Sequence, residues 1–139
     1  VKLALYKGKG TLANAGIRMW TGSRYSHCEL VVDGWCYSSS VMDKGVRRKL
    51  IDLASGNWDL IELPWADPEY VRDYLDRTDH LTYGWVALVT SQFLNLGRSD
   101  PDSQFCSEWC ANALRIPNAS AYSPQTLGEL AGFINEVTA

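Results

Sequence analysis

The segment Lys2-Leu3-Ala4-Leu5-Tyr6 begins as a polar–apolar alternation and predicts a short strand. Between Leu12 and Trp20 the apolar residues Leu12, Ala13, Ala15, Ile17, Met19 and Trp20 fall at roughly helical spacing, with Thr11 as cap and Thr21-Gly22-Ser23 as the break. The clearest signal follows. Ser26 to Val32 reads as one strand, Asp33-Gly34 as a two-residue turn and Trp35 to Ser40 as the return strand. After a second turn at Asp43-Lys44-Gly45, Val46 to Leu50 and Trp58 to Leu63 predict two more strands. Pro64 and Pro68 then punctuate the passage to a helix over Glu69 to Thr78, capped by Asp67. Leu81 to Leu96 predicts a helix, Arg98 to Ser103 a polar loop, and Phe105 to Leu114 a helix stopped by Pro117. Ser123-Pro124 opens a last helix over Gln125 to Val137, with proline at a favoured first position. Strands first and helices last imply an α+β domain.

No repeat, low-complexity tract or linker divides the 139 residues, so residues 1–139 are expected to form a single domain. The net charge of −3 argues against nucleic-acid binding through a basic field, which needs clustered Lys and Arg. No apolar run approaches the roughly 20 residues of a membrane helix. Val1 to Lys7 is too short, and too soon broken by lysine, to serve as an export signal. The chain is therefore expected to be cytoplasmic as synthesised. Its four cysteines, Cys28, Cys36, Cys106 and Cys110, then serve packing, metal binding or catalysis rather than a disulfide framework.

The hairpin turn fixes a register in which Val32 faces Trp35, Glu29 faces Ser38 and His27 faces Ser40. One sheet face then carries His27, Glu29, Val31, Cys36, Ser38 and Ser40. The other carries Cys28, Leu30, Val32, Trp35, Tyr37 and Ser39. A histidine among Glu and Ser can be oriented through one ring nitrogen and exchange a proton through the other. The plainer alternative is a histidine on a solvated strand face.

Ser103-Gln104-Phe105-Cys106 supplies the second candidate. With Asp102 or Ser103 as N-cap, Cys106 is expected in the first helical turn, where unpaired amides and the helix dipole favour a thiolate. Those amides also suit a developing oxyanion. The alternative is that Cys106 and Cys110, four apart, are small core residues, and for Cys110 packing is the favoured reading. A four-thiolate zinc site is disfavoured because Cys28 and Cys36 point to opposite faces. His80, at a helix end, is the fallback base. Trp35, Trp58, Trp85 and Trp109 are assigned to the core, whereas Trp20, Tyr25 and Trp65 lie near loops and suit a substrate cleft. Arg47-Arg48-Lys49 reads as a solvated strand edge.

The order of these features resembles a known family. Ser26-His27-Cys28-Glu29-Leu30-Val31 resembles the histidine strand of the circularly permuted NlpC-type, papain-like cysteine hydrolases, which include the YiiX-like proteins and lecithin:retinol acyltransferase. Phe105-Cys106-Ser107-Glu108-Trp109 resembles the nucleophile segment of that family. Further similarities are Arg18-x-Trp20-Thr21-Gly22-Ser23-x-Tyr25, Gly45-Val46-Arg47, Tyr83-Gly84-Trp85 and Ser123-Pro124-x-Thr126-Leu127. Together they span about residues 11 to 130. The resemblance implies a permuted papain-like fold and a thiol hydrolase that needs no cofactor. Cys106 would be nucleophile and His27 base, with the Cys106 amide in the oxyanion hole. In the family the histidine is usually oriented by Glu, His or Gln on the next strand, where this chain offers Ser38, Ser39 and Ser40. Ser38 is the expected orienter, with Glu29 as runner-up. Tyr25, Trp20 and Ser107 are the expected substrate contacts. The implied substrate is an amide, foremost a peptide bond of the bacterial cell wall, reached by a route such as a phage particle. The alternatives are an ester or lipid-amide hydrolase or acyltransferase, and a non-catalytic binding or structural module.

Overall fold

The computed structural model describes residues 1–7, 25–40, 43, 45–79 and 101–139. The helices expected at Leu12–Trp20 and Leu81–Leu96, together with Trp20, His80 and Trp85, lie outside them. Five strands, β1 (Lys2–Tyr6), β2 (His27–Val32), β3 (Trp35–Ser40), β4 (Gly45–Lys49) and β5 (Trp58–Glu62), form one antiparallel sheet in the order β4-β3-β2-β1-β5. Among the described residues three α-helices accompany it: α1 (Pro68–Thr78), α2 (Pro101–Ala113) and α3 (Pro124–Thr138). The architecture is α+β.

The β2–β3 hairpin forms because Asp33 and Gly34 adopt φ of 52° and 81°, the left-handed pair that a tight two-residue turn needs to match strand twist. Leu30 pairs Tyr37, Val31 pairs Cys36 and Val32 pairs Trp35, as the turn predicts. Alternation then sorts the side chains. Leu3, Leu5, Cys28, Leu30 and Val46 join a core completed by Val71 of α1, Trp109 and Cys110 of α2, and Leu127 of α3. Each fully buried large side chain contributes roughly 1.5–3 kcal/mol. Trp109 meets the Tyr74 ring at 5.4 Å, and its Nε1 donates to Thr78 Oγ1 at 3.0 Å, which locks α2 against α1.

The helix ends obey local chemistry. Asp67 accepts from the Glu69 amide at 3.0 Å ahead of Pro68, and Ser123 and Thr126 exchange bonds in a capping box. Trp65, expected near a cleft, instead donates to Asn135 Oδ1 at 2.7 Å and fastens α3 beside the sheet. One segment departs from expectation: Pro101–Ser103, expected in a polar loop, belongs to α2. Among the described residues no helix is long and apolar enough to cross a membrane.

Candidate active site

His27 opens β2 opposite Tyr6 of β1, and Glu29 follows two residues later on the same face. The His27 Nε2 hydrogen-bonds a Glu29 carboxylate oxygen. Ser38 pairs Arg47 across β3 and β4, which brings Arg47 onto the Glu29 face. Its guanidinium grips Glu29 with two bonds, Nη1 to Oε1 at 2.5 Å and Nη2 to Oε2 at 2.7 Å. Nε of Arg47 donates to Asp43 at 2.8 Å, and Lys49 donates to the same carboxylate oxygen at 2.9 Å. The Glu29 side chain has no exposed surface, while those of His27 and Arg47 are 14% exposed. The polar face is therefore interior, not the solvated face that the sequence allows as an alternative. Arg47 is likewise no solvated edge residue.

Cys106 arrives from the helix layer, fully buried. It lies close enough to His27 to act on the charge of the imidazole. Burial pulls the His27 pKa down, but the negative charge of Cys106, reinforced by Glu29, raises it well above the ordinary imidazole value. Burial works against the Glu29 carboxylate too, yet Arg47 and then His27 hold its pKa below the usual range. The other thiols differ. Burial and contact with Cys106 and Cys110 drive the Cys28 pKa well up, and burial beside Glu29 pushes Cys36 up to about 11. Cys110 packs fully buried, its Sγ 3.9 Å from the Cys28 carbonyl oxygen.

Several expectations are corrected. Since Pro101 is already in α2, Cys106 lies beyond the first turn. The unpaired amides of a helix are its first four, so the Cys106 N–H belongs to the helix ladder rather than to an oxyanion hole. Ser38 does not orient the imidazole: its hydroxyl donates to the Cys28 carbonyl at 2.8 Å, and Glu29 is the residue on His27. Ser107 is fully buried, and its hydroxyl donates to the Tyr122 carbonyl at 2.7 Å, which makes it a packing tie rather than a substrate contact. Tyr25 donates to Asp59 and lines a separate hollow with Leu5 and Gly128, away from the histidine. Trp20 lies outside the described residues.

A cavity of about 350 Å³ opens onto His27, Glu29, Arg47 and Lys49, with Tyr6 and Trp58 as its aromatic wall. The two rings meet at 5.0 Å. Trp58, assigned to the core from sequence, is only partly buried because it serves this wall. Arg47 enters the site through the β3–β4 pairing, one strand away from Glu29. Tyr6 and Trp58 depend on long-range β1 pairing that no local signal encodes. Cys28 and Cys36 point to opposite faces, as the hairpin register implies. Among the described residues no group of three or more His, Cys, Asp or Glu is arranged to hold a metal.

No protein-family model, curated protein or solved structure matches the chain.

Proposed function

We propose that this protein is a thiol hydrolase of the permuted papain-like kind, cleaving an amide bond with Cys106 as nucleophile and His27 as acid and base. One observation carries the reading: His27 lies beside Cys106 and bonds a fully buried carboxylate that is itself held by a guanidinium. That arrangement favours imidazolium beside thiolate. Glu29 engages Nε2 and so fixes the imidazole from that side.

The thiolate attacks the carbonyl carbon, and the C=O electron pair moves onto oxygen. Collapse expels the amine, which takes the His27 proton, and leaves a thioester on Cys106. Water then attacks, giving its proton to His27. The second collapse releases the carboxylic acid and restores the thiolate. Glu29 steadies the imidazolium whenever it forms. A cell-wall peptide is the first substrate class to try, on the strength of the sequence resemblance alone.

Full burial of Cys106 favours a second reading, a non-catalytic module that retains the fold. Iodoacetamide separates the two. In the enzyme Cys106 alkylates near neutral pH faster than Cys28, Cys36 or Cys110, and His27→Ala abolishes that advantage. Equal, slow labelling of all four thiols supports the module. With a substrate found by screening muropeptides against acyl esters, Cys106→Ser is expected to cut turnover at least about a thousandfold. Residual activity above that level would reassign the nucleophile.

A further inference from the structure

We propose that Arg47 is a positioning residue of this site: it holds Glu29 as a carboxylate turned onto His27, and through Glu29 it keeps the imidazole charged beside Cys106. The inference rests on the Cys106–His27 reading and assigns a role to a residue that never touches the sulfur.

The argument begins with three consecutive cations placed differently by one strand. Arg48 turns to the helix-side face and lies 4.5 Å from the Trp35 ring centre. Lys49 reaches only Asp43 and remains 46% exposed. Arg47 alone turns inward onto Glu29. A carboxylate without exposed surface is costly to keep charged unless it is paired. If His27 were its sole partner, the two groups would have an inexpensive escape: the proton would move to Glu29, leaving a neutral acid and a neutral imidazole. A guanidinium does not release its proton in proteins, so it removes that escape. Its planar fork fits both carboxylate oxygens and sets the plane of the group that meets Nε2. Asp43, bonded to Nε, holds the fork from behind.

The charged and titratable surroundings allow this assignment. Glu29 is faced by His27 on its own strand, Cys36 on β3, Arg47 and Lys49 on β4, and Asp43 before β4. His27 pairs Tyr6 of β1, and Cys106 meets Cys28 of β2, which also contacts Cys110 of α2. Lys49 is tied to Asp43, so Arg47 is the cation that bonds Glu29.

The test is the pH dependence of Cys106 alkylation by iodoacetamide, which reports the thiolate without any knowledge of substrate. Arg47→Gln keeps a donor and drops the charge. It is expected to move the thiolate limb upward by about one pH unit or more, toward the ordinary thiol value of about 8.5. Glu29→Gln should move it to the same place and the two together should add nothing further; Arg47→Lys, which keeps a cation but not the fork, should fall between wild type and Arg47→Gln. A folded Arg47→Gln with the wild-type limb, or additive single effects, would each overturn the proposal. Should Arg47→Gln fail to fold, the paired Glu29→Gln/Arg47→Gln variant removes both buried charges. A wild-type limb in that variant overturns the proposal equally. If wild-type Cys106 shows no preferential alkylation, the hydrolase reading and this inference fall together. If it does and the variants leave the limb in place, only the role of Arg47 falls.

Discussion

Cys28 and Leu30 lie on one face of β2, His27 and Glu29 on the other, and at Leu30 and Glu29 both faces are fully buried. The helix-covered face is ordinary core, where every removed Å² of apolar surface favours folding. The opposite face buries a carboxylate, a guanidinium and an imidazole, groups whose desolvation opposes folding and is offset only by their bonds to one another. A chain selected for stability alone has little use for the second face. Its presence is the physical reason to look for chemistry there rather than among the larger apolar side chains.

The sharpest break of this contrast uses neighbouring residues. Glu29→Ala strands the Arg47 guanidinium in the interior and is expected to cost about 3–5 kcal/mol, read by urea unfolding at neutral pH. Leu30→Ala, one residue on and facing the helices, should cost a comparable or smaller amount, about 2–5 kcal/mol, from lost transfer energy and a cavity. The difference lies in function: folded Leu30→Ala keeps fast alkylation of Cys106, whereas Glu29→Ala loses it. A Glu29→Ala cost below about 1 kcal/mol would place that carboxylate among solvated ion pairs and dissolve the contrast.

Acid and base separate the faces more gently. The Glu29 pKa is lowered in the fold, so its stabilisation is present above the ordinary glutamate value and is lost as pH falls toward the folded value. The His27 pKa is raised, so its contribution is complete below the ordinary histidine value and is lost as pH climbs through the raised one. Stability should therefore be greatest between these limits. Glu29→Gln is expected to flatten the acid slope, while Leu30→Ala lowers the whole curve without changing its shape. Parallel curves for both variants would show that Glu29 titrates alike folded and unfolded.

Much of the frame was legible because local chemistry dictates it. Asp33-Gly34 specifies a turn, the turn specifies a register, and the register places His27 and Glu29 on a common face. Asp67-Pro68 and Ser123-Pro124 mark two helix starts in the same local way. What escaped depends on separations that no local pattern spans. Burial of the polar face follows from packing, so a strand of Glu and Ser read as wet. Arg47 meets Glu29 across 18 positions of chain and one intervening strand, and in sequence it is the first of three basic residues with nothing to distinguish it. The helical state of Pro101–Ser103 escaped for a different reason: a proline among polar residues reads locally as a loop, although these positions belong to α2.

Ser38 carries the smallest and most discriminating change. It lies between Glu29 and Arg47 on the polar face, fully buried, where the family resemblance makes it the expected orienter of the imidazole. Its hydroxyl serves the Cys28 carbonyl instead, and so does structural work on the strand that carries His27. Ser38→Ala removes that donor at nearly constant volume. The expected cost is about 1 kcal/mol, that of one net hydrogen bond, with the rate and pH limb of Cys106 alkylation unchanged. A loss of thiolate reactivity without loss of stability would return Ser38 to the site and make the carboxylate–guanidinium pair beside it a scaffold rather than the source of the histidine's charge.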